Sequence, residues 1–153
     1  MKFDNYMILD FPSKSSNEAF ARSAVACFAA QMDPTMEELG VPDVIKDMVD
    51  EARGLILITG PTGSGKTTTL YTCLKSLHDR MIYTVEDPIE MIDEHFVQLQ
   101  VNEAQNFSYE QSIRQLMRHD PDVIMIGEIR DSKAAKGAVQ CALTGHLVCA
   151  TLH

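Results

Sequence analysis

Residues Gly60-Pro61-Thr62-Gly63-Ser64-Gly65-Lys66-Thr67 spell G-x-x-x-x-G-K-T, a spacing suited to holding a polyphosphate. Glycines let backbone N–H groups turn inward around a phosphate, and a helix opening directly after them aims its positive end at the same place. Lys66 reaches the terminal phosphates and the Thr67 hydroxyl is placed to ligate magnesium. The nucleotide-binding candidates are Gly60, Thr62, Gly63, Ser64, Gly65, Lys66, Thr67 and Thr68. The bland alternative, a glycine-rich turn with no ligand, is disfavoured by the context: an apolar strand before and a helix after.

A phosphate site of this kind needs acids to hold magnesium and direct water. Two sets lie where expected strands end: Glu86-Asp87-Pro88-Ile89-Glu90, and Gly127-Glu128. Ligand sites of open α/β sheets lie at the carboxyl ends of strands, so both are well placed, although any single acid there can simply be a solvated loop residue. Arg130 and Asp131 form either a structural ion pair or a contact with a neighbouring subunit. Arg114 and Arg118, one turn apart on a helix, read as a solvated face. His146 and His153 point to opposite faces of the last strand and make a poor metal pair. Cys27, Cys73, Cys141 and Cys149 fit no zinc spacing and read as buried free thiols.

The elements that must position these residues follow from periodicity. Tyr6 to Phe11 reads as a strand ended by Pro12, and Ser15 with Glu18 opens a helix that stops near Asp33-Pro34. Thr35 and Glu38 repeat the capping pattern. Val44, Ile45, Met48, Val49 and Ala52 mark an amphipathic helix with Pro42 in its first turn. Strands are predicted over 55–59, 81–85, 96–101, 123–126 and 146–152. Helices are predicted over 66–77, from Ser108 to about His119, and over 132–143. Strands alternating with helices from residue 55 onward argue for an α/β fold with a mainly parallel sheet.

The chain has 153 residues and a net charge of −9, which gives no general electrostatic attraction to nucleic acid or an anionic membrane. Its longest apolar run is seven residues, Ala24–Ala30, and Leu55–Ile58 and Val123–Ile126 are four each, against about twenty for a membrane-spanning helix. The first residues carry acids and lack the apolar centre of a signal peptide, so a cytoplasmic location is expected.

The stretch 54–153 resembles the type II/type IV pilus secretion ATPases, on GLILITGPTGSGKTTTLY, TVEDPIE, VQLQVN, RHDPDVIMIGEIRD and ALTGHLVCATLH, all in order. DEHFVQLQVN looks most like the competence-pilus branch. The resemblance implies a RecA-like P-loop domain that binds ATP and Mg2+ and works as a homo-hexamer, peripheral at the inner face of the cytoplasmic membrane with a pilus assembly membrane protein. By motif match Lys66 and Thr67 bind phosphate and magnesium. Glu128 is the Walker B glutamate and a second contributor to the metal, and Glu86, Asp87 and Glu90 are Asp-box acids. His153 is the His-box histidine that senses nucleotide.

Residues 1–40 instead resemble the start of the sporulation anti-sigma F factor, a GHKL serine kinase, on the NEAFAR helix and the DPTMEEL turn, with Arg22 as a partner contact. The join falls near Pro34–Gly40, where PTMEELG suits both families. The chain thus reads as a hybrid: an incomplete anti-sigma-like segment over 1–40, loosely attached, and a P-loop domain over 41–153. The resemblance implies that the P-loop domain is truncated at the carboxyl end, with its last strand an uncovered terminal element, and lacks the arginines that a neighbouring subunit's N-terminal domain supplies. Weak Mg-ATP binding with slow or no hydrolysis is therefore expected. Two other readings stand beside it: a module binding a sporulation sigma factor through residues 1–40, and a hybrid product without function.

Overall fold

The computed structural model describes residues 33–102, 104 and 107–152. The expected strand at Tyr6–Phe11, the helix from Ser15, Arg22, Cys27 and His153 lie outside the described residues.

The described chain opens on the predicted reciprocal cap. Thr35 N–H donates to Glu38 Oε2 at 2.9 Å and Glu38 N–H donates to Thr35 Oγ1 at 3.2 Å. Met36 and Leu39 from this turn pack against the core of the sheet domain, as does Val41 just after it. Helix α1, Asp43–Asp50, follows with Pro42 as its cap residue in extended conformation, one position earlier than expected. Its apolar face seats Ile45 and Val49 on the same core.

Strand and helix then alternate: β1 Gly54–Thr59, α2 Lys66–Lys75, β2 Ile82–Glu86, β3 Phe96–Gln100, α3 Tyr109–Leu116, β4 Val123–Ile126, α4 Ser132–Leu143 and β5 Leu147–Leu152. The five strands form one sheet in the order β1-β5-β4-β2-β3, every pair parallel. All their carboxyl ends therefore emerge at one edge. Side chains alternate between the two faces, and the core divides accordingly. Met125 and Cys149 join Leu70, Tyr71 and Leu74 of α2 on one face. Ile124, Ile126 and Val148 join Ile113 and Leu116 of α3 and Ala138 of α4 on the other. All four residues of β4 are buried, which explains its unbroken apolar run: a strand covered on both faces needs no polar side.

One expectation is overturned here. β5 is an interior strand, paired with β1 on one side and β4 on the other, and its residues 147–151 are all buried. The edge strands of the sheet are β1 and β3, where Leu55 and Leu57 of β1 are 37% and 45% exposed and Val97 of β3 is 43% exposed. Sequence order does not give spatial order in a parallel sheet, because each crossover helix can return the chain beyond its neighbour.

Candidate functional site

The loop between β1 and α2 must reverse the chain within six residues and still turn its N–H groups inward. Gly63 and Gly65 carry φ of 75° and 84°, a left-handed region costly for a residue with a Cβ. Gly65 is the cap residue of α2, and no side chain caps that helix's first turn. The first N–H groups of a helix have no intrahelical partner, so the opening of α2 presents donors and the positive end of its dipole to an anion. Lys66 Nζ bridges the loop, donating to the Gly60 carbonyl at 2.8 Å and the Pro61 carbonyl at 3.1 Å.

The acids come from β2 and β4, adjacent strands that end beside each other: Val85 pairs with Ile126. Glu128 lies two residues past the end of β4. Arg130 gathers the two sets. Its Nε donates to Glu128 Oε2 at 2.5 Å and its Nη1 to Asp87 Oδ2 at 2.9 Å. The hydrogen bond to Glu128 raises the Arg130 pKa further, so one cation links both acids. The partners of Arg130 are the acids of the site, whereas Asp131 caps α4, its Oδ1 accepting from Lys133 N–H and Ala134 N–H at 2.8 and 2.7 Å. Gly127 sits at close quarters: a Cβ there would meet Glu86 Cγ at 3.3 Å and the Val85 carbonyl oxygen at 3.4 Å.

These residues converge on one cleft of about 620 Å³. Thr62, Gly63, Gly65, Lys66, Thr67 and Thr68 line it from the loop side, and Glu86, Asp87, Glu90 and Glu128 from the acidic side. Gly60 and Ser64 shape the loop behind this lining, Gly60 through the Lys66 bond and Ser64 through an N–H donated to the Pro61 carbonyl at 3.2 Å. Glu86 differs from the other acids: it is buried, 2% exposed. Its Oε1 accepts from Tyr71 Oη at 2.7 Å and Thr84 Oγ1 at 2.6 Å.

Other expected residues lie elsewhere. His146 precedes β5, at the opposite edge of the sheet, with Nδ1 3.1 Å from the Cys141 carbonyl. Arg114 pairs with Glu110 on the exposed face of α3, as a solvated face would. Cys73, Cys141 and Cys149 are buried free thiols. Sequence reasoning missed Tyr71, Gln98 and Tyr109. Tyr109 lines the cleft, and among the described residues its buried hydroxyl has no hydrogen-bond partner. Burial pushes the Tyr109 phenol up to about 12, with Arg130 pulling down and Asp87, Glu128 and Glu86 pushing up. An aromatic residue opening an amphipathic helix carries no signal that separates this position from core filling.

The family described as "Type II/IV secretion system protein" matches residues 29–153. The chain is 50% identical over 125 residues to the type IV pilus assembly ATPase TfpB of Acinetobacter baylyi, covering 78% of this chain and 21% of that protein. It is 54% identical over 109 residues to the competence protein ComGA of Halalkalibacterium halodurans, covering 69% of this chain and 31% of that protein. Among solved structures, the pilus retraction motor PilT with bound ADP superposes with a TM-score of 0.71 at 40% identity, over 78% of this chain and 37% of that one. The chain thus spans between about a fifth and a third of the curated relatives it matches. The match begins at residue 29, inside the segment likened above to the anti-sigma factor. With a profile covering most of its length and a sheet that follows the same architecture, this chain belongs to the type II/IV secretion system protein family.

Proposed function

We propose that this chain binds ATP with magnesium in the cleft at the carboxyl edge of the sheet and is the nucleotide-binding part of a secretion or pilus-assembly ATPase. The observation that carries the reading is the convergence of the uncapped start of α2, Lys66 and the carboxylates of Asp87, Glu90 and Glu128 on one cleft. The donor set suits a phosphate chain on one side and a hard cation on the other. Thr67 and Glu128 would hold magnesium, which when bound supplies charge neutralisation at the phosphate oxygens. Lys66 leaves the loop carbonyls for the terminal phosphates. Glu128 orients a water for in-line attack on the γ-phosphate, with Asp87 and Glu90 beside it, and the leaving diphosphate stays on the loop N–H groups. By analogy with its relatives, the chain works within a homo-oligomer at the cytoplasmic face of a membrane, against a pilus or secretion membrane protein.

The test is a titration of the full chain with a fluorescent ATP analogue and magnesium beside Lys66→Ala. Saturable binding that weakens at least about tenfold in Lys66→Ala is expected, since charge-assisted hydrogen bonds to phosphate are among the strong ones. Absence of binding by a folded wild-type chain, or equal binding by both proteins, overturns the reading.

A further inference from the structure

We infer that Glu86 is a positioning residue: with Tyr71 and Gln98 it clamps the acidic loop 87–93 onto the phosphate-binding helix α2. The inference rests on the site reading above and assigns one of its acids a different task from the others.

Glu86 Oε1 is saturated. It accepts from Thr84 Oγ1 at 2.6 Å, Tyr71 Oη at 2.7 Å and Gln98 Nε2 at 3.3 Å. One carboxylate oxygen offers about two lone pairs, so no room remains on it for a cation or a substrate water. Its donors come from three elements: Tyr71 from α2, Thr84 from β2 and Gln98 from β3. Gln98 extends the network into the loop. Its Nε2 donates to the Met91 carbonyl at 2.8 Å, and its Oε1 accepts from Asp93 N–H at 2.8 Å. The second Nε2 proton is shared between Tyr71 Oη at 3.0 Å and Glu86.

The loop held in this way carries Asp87 and Glu90, two of the acids that line the cleft. The helix on the other side of the clamp starts at Lys66 and Thr67. Glu86 also abuts Gly127, the residue before Glu128. One buried acceptor thus fixes the distance between the phosphate-binding and acid-bearing halves of the site. A strand interior would ordinarily place an apolar residue here. A buried carboxylate is costly unless it is hydrogen-bonded, and two of the donors to Oε1, Tyr71 and Gln98, are the ones that tie the loop to α2.

The position needs an acceptor oxygen, whereas a metal ligand or base would need the charge. Glu86→Gln keeps an acceptor, Glu86→Leu removes it, and Tyr71→Phe removes a donor while leaving Glu86 in place. Hydrogen exchange of the nucleotide-free full chain is the first readout. In Tyr71→Phe and Glu86→Leu, amides of residues 87–93 should exchange about tenfold faster, the scale expected for losing a hydrogen bond to a charged group. Amides of β4 and β5 should be unchanged, and Glu86→Gln should track the wild type. The second readout is the gain in affinity for a fluorescent ATP analogue when magnesium is added. Glu86→Gln should keep most of it, and Glu86→Leu and Tyr71→Phe should lose most of it, with magnesium-free affinity preserved in all three. Unchanged exchange over 87–93 in Tyr71→Phe overturns the clamp. So does a Glu86→Gln protein with wild-type exchange that has lost the magnesium gain, since the charge is then acting directly. If the wild type binds no nucleotide, the proposed function fails while the exchange data still decide the clamp.

Discussion

Arg130 and Asp87 stand 43 residues apart in the chain, yet the guanidinium Nη1 meets the Asp87 carboxylate at 2.9 Å. The same guanidinium holds Glu128 through Nε. The pairs are partly exposed, and such ion pairs contribute at most about 1 kcal/mol to stability. Their effect lies in the charge of the cleft. Arg130→Gln is expected to leave the urea midpoint nearly unchanged. By removing the cation that competes for both acids, it should lower the magnesium concentration needed for half-maximal nucleotide binding by about threefold. A rise in that concentration, read in a magnesium titration at fixed nucleotide, would contradict the role.

Two glycines separate tight packing from mere absence of a side chain. A Cβ on Gly127 meets backbone and side-chain atoms of Val85 and Glu86 at 3.3–3.4 Å, so Gly127→Ala should destabilise by about 1–3 kcal/mol. A Cβ on Gly137 of α4 meets only the end of Ile113 at 3.0 Å. That atom can move aside, and alanine gains about 1 kcal/mol of helix propensity, so Gly137→Ala should be close to neutral. Denaturant unfolding of the pair checks the contrast.

Two helices behind the acidic side are capped by side chains. Ser108 and Gln111 form a reciprocal box at α3, and Asp131 accepts two N–H groups at α4. Ser108→Ala and Asp131→Ala should each cost about 1 kcal/mol. Asp131→Ala should also lower the magnesium concentration needed for half-maximal nucleotide binding, in the same direction as Arg130→Gln, because Asp131 fixes the turn that carries Arg130. Unfolding curves and the magnesium titration together separate the two effects.

Acid should loosen the loop end of the cleft. Burial pushes the Asp93 carboxyl up, but hydrogen bonds from Lys75 and His95 outweigh it and hold its pKa below the ordinary value. Lys75 Nζ lies 2.6 Å from Asp93 Oδ2. Because the folded value is depressed, the stabilisation is complete above the unfolded value of about 3.9. It is lost as pH falls through the folded value. Asp93→Asn should flatten the fall in stability expected as the pH drops below about 4, as measured by urea unfolding at several pH values. An unchanged slope would count against this coupling.

The thiols should be inert. Burial pushes Cys73 and Cys141 up, and burial together with the neighbouring Cys73 pushes Cys149 up to about 12. Only the thiolate reacts. A thiol reagent at about pH 8 should therefore leave these three unlabelled in the folded chain and label them in denaturant, resolved peptide by peptide by mass spectrometry.

Local signals survived well in the sequence. The glycine loop, the Thr35–Glu38 and Ser108–Gln111 caps and the boundaries of α4 depend on residues within a few positions of one another. Strand order does not, and that is why β5 read as terminal when it is interior. The pairing of Arg130 with Asp87 depends on β2 and β4 lying side by side, which no spacing in the chain reveals. Glu86 read as one acid among several, because the Tyr71 and Gln98 that distinguish it come from other elements. Tyr71 falls in an apolar stripe, and Gln98 follows the alternation of β3.

The placement of β5 between β1 and β4 acts as a ruler. Two strand spacings separate the strand that feeds the phosphate loop from the strand that feeds Glu128, about 10 Å in all. Along the strands the gauge is set by register: Thr59 pairs with Leu152, and Ile126 pairs with Ala150, two residues earlier on β5. Glu128 lies two residues beyond Ile126, and the next residue, Ile129, donates its N–H to the Thr151 carbonyl at 2.9 Å, which holds the acid-bearing turn against β5. Width is thus fixed by hydrogen-bonded strands, and reach by a count of residues. A one-residue insertion between Ile126 and Glu128 would shift the acid along the cleft without changing its breadth.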